Sequence, residues 1–206
     1  MTRFPAIILA GGRSSRMGGG DKGLLALNGK PIIGHVIDRL ARQCQPLLLS
    51  ANGDPQHWAR FGLPILPDDL PDRPGPLAGI LAGLDWAAGQ GHDAIVSAAA
   101  DTPFLPDDLV ARLATGRGPE GLALAATRTR QGLVNEHPTF GLWPVSIRAR
   151  LRARLMQGQR RVRDLARVHG ATLVIWDESA GYPFFNINTP DDLHQARAHA
   201  QGFDCP

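Results

Sequence analysis

Short apolar runs punctuated by glycine and proline alternate along this chain with stretches whose apolar residues recur at helical spacing, the pattern of a mostly parallel α/β sheet. Residues 6–10 and 47–50 are apolar runs of strand length, and residues 94–100 are apolar enough to be buried on both faces. Ile33, Val36, Ile37 and Leu40 share one face of a helix over about residues 32–43. The same spacing predicts a short helix at 56–61, a brief strand at 64–66 and a helix at 77–88. Beyond residue 100 it predicts helices near 107–114 and 145–155, strands at 122–126 and 139–143, an Arg-rich helix at 160–168, a strand at 173–176 and a last helix after Pro190. About seven strands flanked by helices make a three-layer α/β fold, and no repeat or linker divides residues 1–206, which read as one domain.

Composition narrows the class without naming it. A chain of 206 residues with 43% apolar and 20% charged positions fills a core and is not disordered. Its net charge of +3 is too small and too dispersed for a nucleic-acid stripe, and the longest apolar runs fall far short of the ~20 residues a membrane helix needs. The N-terminal apolar run contains Pro5 and enters a glycine-rich basic segment, so it reads as a strand and not as a secretion signal. Cys44 and Cys205 form neither a disulfide framework nor a metal-ligand spacing, which leads us to expect a cytoplasmic protein.

The basic residues are unevenly chosen: of 22, only Lys22 and Lys30 are lysines. Lys22 lies in the segment Leu9-Ala10-Gly11-Gly12-Arg13-Ser14-Ser15-Arg16-Met17-Gly18-Gly19-Gly20-Asp21-Lys22-Gly23, directly after the first expected strand. Glycines there let backbone N–H groups approach phosphate oxygens, and Arg13, Arg16 and Lys22 add positive charge, so the segment reads as a triphosphate cradle. It lacks the Gly-Lys-Ser/Thr of a Walker loop, and its Gly18-x-Gly20-x-x-Gly23 spacing begins too far past the strand for a dinucleotide turn. The competing reading is a solvated surface loop.

Three Asp-Asp pairs invite a metal reading, and position separates them. Asp107-Asp108 and Asp191-Asp192 fall where helices are expected to start, so both are read as structural. Asp68-Asp69 sits in a proline-stiffened loop suited to a base or ribose, or to a plain turn. Asp101 ends an apolar strand, the place where open α/β sheets bind ligands, and a single carboxylate with phosphate oxygens and waters makes a normal Mg²⁺ shell. The seven histidines show no zinc spacing. Asn186 and Asn188 alternate on an extended segment and could donate to a substrate from one side, or form a turn before the last helix. The cluster Arg160-Arg161-Val162-Arg163 reads as a solvated helix face that could also meet an anionic ligand.

The run Leu9 to Lys22, continued by Asp21-Lys22-Gly23-Leu24-Leu25-Ala26-Leu27-Asn28-Gly29-Lys30-Pro31, resembles nucleotidyltransferases of Rossmann-like architecture, and among them the molybdenum cofactor guanylyltransferases. Pro74-Gly75-Pro76-Leu77-Ala78-Gly79, Asp101-Thr102-Pro103, His137-Pro138-Thr139 and Asn186-Ile187-Asn188-Thr189-Pro190 extend the resemblance, in order, over nearly the whole chain. It implies GTP as one substrate, molybdopterin as the other, and transient contact with proteins that deliver or collect the cofactor. It also implies nucleotide binding by Leu9, Ala10, Gly11, Gly12, Lys22, Asp68 and Asp101, catalysis by Arg16, Lys22 and Asp101, Mg²⁺ on Asp101, and acceptor contacts at Asn186 and Asn188. The nucleotide half would span about residues 1–100 and the acceptor half about 101–206. Where family members often carry Asn at the end of the second strand this chain has Ser50, with fewer donors for a guanine edge or ribose. The alternatives are a cytidylyl enzyme on the same cofactor, a transferase on a sugar or cobinamide phosphate, and a GTP-binding module without chemistry.

Overall fold

The computed structural model describes residues 3–10, 22–52, 54–67, 75–178 and 181–203. In chain order these form β1 (Ala6–Leu9), β2 (Ala26–Leu27), β3 (Lys30–Pro31), α1 (Ile32–Ala41), β4 (Leu47–Ser50), α2 (Gln56–Ala59), β5 (Ile65–Leu66), α3 (Pro76–Gly89) and β6 (Ala94–Ala99). There follow α4 (Leu109–Gly116), β7 (Ala123–Arg128), β8 (Val134–Pro144), α5 (Arg148–Met156), α6 (Val162–Val168), β9 (Thr172–Asp177) and α7 (Pro190–Phe203). Seven strands make one sheet in the order β5-β4-β1-β6-β8-β7-β9, in which β8 runs antiparallel to both its neighbours and the other pairings are parallel. The mostly parallel, three-layer α/β expectation therefore holds, as does the expected count of strands in that sheet.

Strand alternation sorts the core into two layers. Ala6 and Ile8, Leu49, Val96 and Ala98 pack under α1 and α4, whereas Ile7, Leu48, Ile95 and Leu124 pack under α3, α5 and α6. From β1 the chain continues to β4 on one side of the sheet and from β6 to β7 on the other, so the strand order reverses between these two neighbours and their carboxyl ends border the crevice in which such sheets bind ligands. A third, smaller cluster of Leu27, Ile32, Ile187 and Ala196 joins the β2–β3 hairpin to α7. That cluster brings α7 back to the residues that follow the glycine-rich stretch of sequence.

Three local outcomes differ from the expectations. Residues 26–31 form a hairpin of their own, because Asn28 and Gly29 both take positive φ, 49° and 79°, as a two-residue hairpin turn requires. β8 is an 11-residue strand that runs through Pro138 and not the short segment expected at 139–143. Pro138 is tolerated because the ladder slips there: Leu124 pairs with Gly141 but Ala125 with His137, leaving the intervening residues out of register. The helix expected at 145–155 starts as a 3-10 turn, Val145–Ile147, before α5 begins.

Helix α3 lies close on the sheet through its glycines. A Cβ on Gly79 would sit 2.5 Å from Ser50 Oγ and 2.8 Å from Leu9 Cδ2, while Gly89, on the same helix, faces open space. Alanine normally favours a helix over glycine by about 1 kcal/mol. At Gly79 the overpacking cost of about 1–3 kcal/mol is expected to exceed that gain. Thermal unfolding should therefore show Gly79→Ala lowering Tm and Gly89→Ala leaving it equal or slightly higher; a rise in Tm for Gly79→Ala would mean that α3 can lift off the sheet at little cost.

Candidate active site

Lys22 and Gly23 open a 3-10 turn, Lys22–Leu24, that lies against the end of β6, where a Cβ on Gly23 would stand 3.4 Å from Ala100 Cβ. Asp101 is the next residue after Ala100. From the far end of the chain, the backbone N–H of Ile187 donates to the carbonyl of Asp101 at 3.0 Å. The Nζ of Lys22 donates to Oδ1 of Asn188 at 2.7 Å. Residues 166 positions apart are thus joined at the carboxyl end of the central strands. Lys22, Asp101 and Asn188, chosen from the sequence separately, form one cluster, while Asn186 is exposed.

The electrostatics of the cluster follow from burial and charge. Burial pushes the Asp101 carboxyl above its ordinary range, and the nearby Lys22 charge and a hydrogen bond from Thr102 Oγ1 to Oδ1 at 3.3 Å pull part of the way back. For Asp192, partial burial acts upward but is outweighed, and the carboxyl is held below its usual range by N–H donors of Asn188 and Thr189, by Thr189 and by Lys22. Its Oδ2 accepts from both backbone N–H groups at 2.8 Å, and its own N–H donates to Thr189 Oγ1 at 3.1 Å. Thr189 and Asp192 thereby form a reciprocal cap on α7, with Pro190 in the first turn.

A second group of side chains shapes the same segment from behind. Phe184 is buried with φ +65°, a strained value for an aromatic residue, and its ring packs on His137, Phe140 and Trp176 at centroid distances of 4.7, 5.0 and 5.3 Å. His137 stacks on Phe184 at 23° and shares a 2.9 Å hydrogen bond with Thr127 Oγ1. The His137-Pro138-Thr139 motif therefore supports the segment that carries Asn188 through Phe184.

Other sequence candidates are placed as follows. Leu9 ends β1 and its carbonyl accepts from the Ala100 N–H; Ala10 donates to Ser50 O at 2.9 Å. Gly11, Gly12, Arg13, Ser14, Ser15, Arg16, Asp68 and Asp69 lie outside the described residues. The expectation that Ser50 offers its hydroxyl to a base or ribose is corrected: Ser50 is only 5% exposed, and its Oγ faces Gly79 between β4 and α3. Asp107 and Asp108 are structural, although neither caps α4 through its side chain. Asp107 pairs with Arg39, and Asp108 accepts from Trp176 Nε1 at 2.8 Å. Lys30 forms an ion pair with Asp38, and its stem covers Gly34, which gives it a structural place on α1. Among the described residues no three His, Cys, Asp or Glu side chains cluster as a metal cage, and no helix is long and apolar enough to cross a membrane. Burial pushes the Cys44 thiol up to about 12, so it stays protonated and unreactive.

A lysine, a strand-end carboxylate and an amide at the switch point of such a sheet suit nucleotide phosphates. The family model of the MobA-like NTP transferase domain matches residues 6–173. The chain belongs to this family of nucleotidyltransferases. Proteins named molybdenum cofactor guanylyltransferase from Bradyrhizobium sp. strain ORS 278 and Mesorhizobium japonicum are 49% and 50% identical to it. The alignments cover 95% and 92% of this chain, and 92% of each relative. The crystal structure of molybdopterin-guanine dinucleotide biosynthesis protein A from Archaeoglobus fulgidus shares the fold, with a TM-score of 0.72 at 22% identity, over 97% of this chain and 100% of that one.

Two of these residues titrate with opposite consequences. Burial, and secondarily the Arg163 charge, push the His137 imidazole down to about 4 from an ordinary 6.5. The unfolded chain therefore binds the extra proton first, so the stability that comes from the neutral ring is complete above about pH 6.5 and is lost as pH falls toward about 4. Asp101, raised above 3.8, acts with the opposite sign above that pH. Denaturant unfolding of wild type and His137→Gln across pH 4 to 7 isolates the histidine: the difference in stability should shrink on acidification, and a difference independent of pH would show that the ring does not titrate in this window.

Proposed function

We propose that the chain transfers GMP from GTP to the phosphate of molybdenum-molybdopterin, forming the guanine dinucleotide form of the cofactor and releasing pyrophosphate. The observation that carries this reading is the meeting of Lys22, Asp101 and Asn188 at the carboxyl ends of β1 and β6, where the glycine-rich segment also begins. The names borne by relatives about half identical over nearly the whole chain support guanine as the base and molybdopterin as the acceptor.

In this reading the GTP phosphates lie along residues 11–23, with Leu9, Ala10, Gly11 and Gly12 offering backbone close to the nucleotide and Asp68 contacting its nucleoside part. An oxygen of the acceptor phosphate forms a bond to the α-phosphorus as the bond to the β-phosphate oxygen breaks, and pyrophosphate departs with that electron pair. The nucleophile is already an anion, so no general base is needed, and the work is positioning and charge neutralisation. Lys22 supplies a compact positive charge from a half-buried setting, and Arg16 adds a second. Asn188 keeps the Lys22 ammonium oriented, and with Asn186 faces the acceptor. The donor set fits a hard divalent cation, since Mg²⁺ is commonly held by one or two carboxylates together with substrate phosphates and water. Mg²⁺ bound by Asp101 would supply further neutralisation of the phosphate oxygens. Residues before about 100 serve the nucleotide and those after it the acceptor, and the chain makes transient contact with proteins that deliver or collect the cofactor.

Incubation with each of the four NTPs, Mg²⁺ and molybdopterin, with pyrophosphate release as readout, tests the reading. GTP should be used in clear preference, and equal or faster turnover with CTP would overturn the assignment of the base. Lys22→Ala should lower single-turnover GMP transfer by about 100-fold or more, as loss of one preorganised charge donor does. A loss below about threefold would remove Lys22 from the chemistry. Asp101→Asn should abolish most transfer and move the magnesium titration to higher concentration without lowering Tm, because the buried carboxylate is ionised at a cost. An unchanged magnesium titration would remove Asp101 from metal binding.

A further inference from the structure

The Asp191-Asp192 pair reads from sequence as a helix start and nothing more. In the structure its two members differ: Asp191 is exposed, whereas Asp192 turns back from the first turn of α7. Its Oδ2 accepts from the N–H groups of Asn188 and Thr189, both at 2.8 Å. The side chain of that same Asn188 accepts from Lys22 Nζ at 2.7 Å. The residue before it, Ile187, donates its N–H to Asp101 O and is fully buried against Leu27 and Ile32. The peptide carrying the Asn188 side chain is therefore clamped from both sides, by Asp192 after it and by the end of β6 before it.

Resting on the reading of Lys22 as a phosphate-neutralising charge, we infer that Asp192 is a positioning residue for catalysis: its carboxylate fixes the Asn188 backbone, and Asn188 in turn holds the Lys22 ammonium at the end of β6. The carboxylate touches no reacting atom in this arrangement. A helix cap alone would need the Thr189 N–H or those of the first turn, and the donor from Asn188 lies outside that need. The held-down pKa of Asp192 means that it stays ionised, and so keeps both acceptor contacts, through the neutral range. Because a shift of about 1 Å at a charge that neutralises a transition state can cost on the order of 100-fold in rate, the clamp bears on turnover more than on nucleotide affinity.

The chain's two lysines make the coupling directly visible, since protein labelled with ¹³C at lysine Cε gives one signal each for Lys22 and Lys30, assigned with Lys30→Arg. The variants are Asp192→Ala, Asp192→Glu, which restores a capping carboxylate on a longer stem, and Asp192→Ala combined with Lys22→Ala; circular dichroism confirms the fold of each. Asp192→Ala is expected to lower kcat for GMP transfer about tenfold or more with KM for GTP within about twofold, and to move the Lys22 signal but not that of Lys30. Asp192→Glu should recover most of the rate and of the signal position, and adding Asp192→Ala to Lys22→Ala should cost little further. The proposal is overturned if kcat of Asp192→Ala stays within about twofold of wild type, if the Lys22 signal does not move, or if the double variant loses the full single-variant factor again. Should Lys22→Ala by itself leave transfer intact, the role of Lys22 in the chemistry fails, whereas the clamp is then judged on the lysine signal alone.

Discussion

The backbone hydrogen bond from Ile187 to Asp101 is the constraint on which the site depends. It ties the segment before α7 to the end of β6, where the turn that begins at Lys22 also lies against the sheet. Backbone groups this close to a buried strand end must find partners, and here they find each other across the molecule. The small apolar cluster of Leu27, Ile32, Ile187 and Ala196 supports that bond from outside by packing α7 on the β2–β3 hairpin. Hairpin, strand end and C-terminal helix thus act as one support for a few polar atoms, which is how an active site is kept rigid without a continuous sheet beneath it.

Stability and chemistry oppose each other within this support. Asp101 is held in a setting that raises its pKa, so its ionised form is costly until positive charge, a metal ion or both compensate it. Phe184 holds a left-handed backbone conformation inside a nest of His137, Phe140 and Trp176. That conformation is sustained by aromatic packing, whose area and ring contacts outweigh the backbone strain. Phe184 leads into the segment proposed to face the acceptor and Asp101 accepts a backbone hydrogen bond from it, in keeping with strain and unfavourable burial being tolerated where geometry serves function.

Legibility from sequence tracked locality. β4 was read to the residue, and β1, α3 and β6 to within one or two, because each rests on its own apolar pattern bounded by turn residues. The two-residue strands on either side of Asn28-Gly29 were too short to carry a pattern of their own. β8 was underestimated because Pro138 normally ends a strand, and only its neighbour's register shows that the slip between Leu124 and Ala125 accommodates it. The burial of Ser50 was not legible, because it comes from the close approach of α3 at Gly79 and not from any pattern within β4. Asp192 was passed over because a cap and a clamp have the same local sequence, Thr-x-x-Asp, and differ only in what the preceding residue touches.

The sequence by itself determined the layered α/β class, the glycine-rich cationic segment, the strand-end carboxylate Asp101 and the family these compose, since each is written in neighbouring residues whose chemistry is short-range. The two lysines were also conspicuous there, but not their separate duties. Only the tertiary structure decided that Lys30 is bound to Asp38 on α1 while Lys22 reaches across 166 positions to Asn188. It also decided that His137 supports Phe184 and that Asp192 holds the Asn188 backbone. Contacts of such sequence separation are set by which faces the sheet and helices bury together, a property of the packed core and not of any stretch of chain within it.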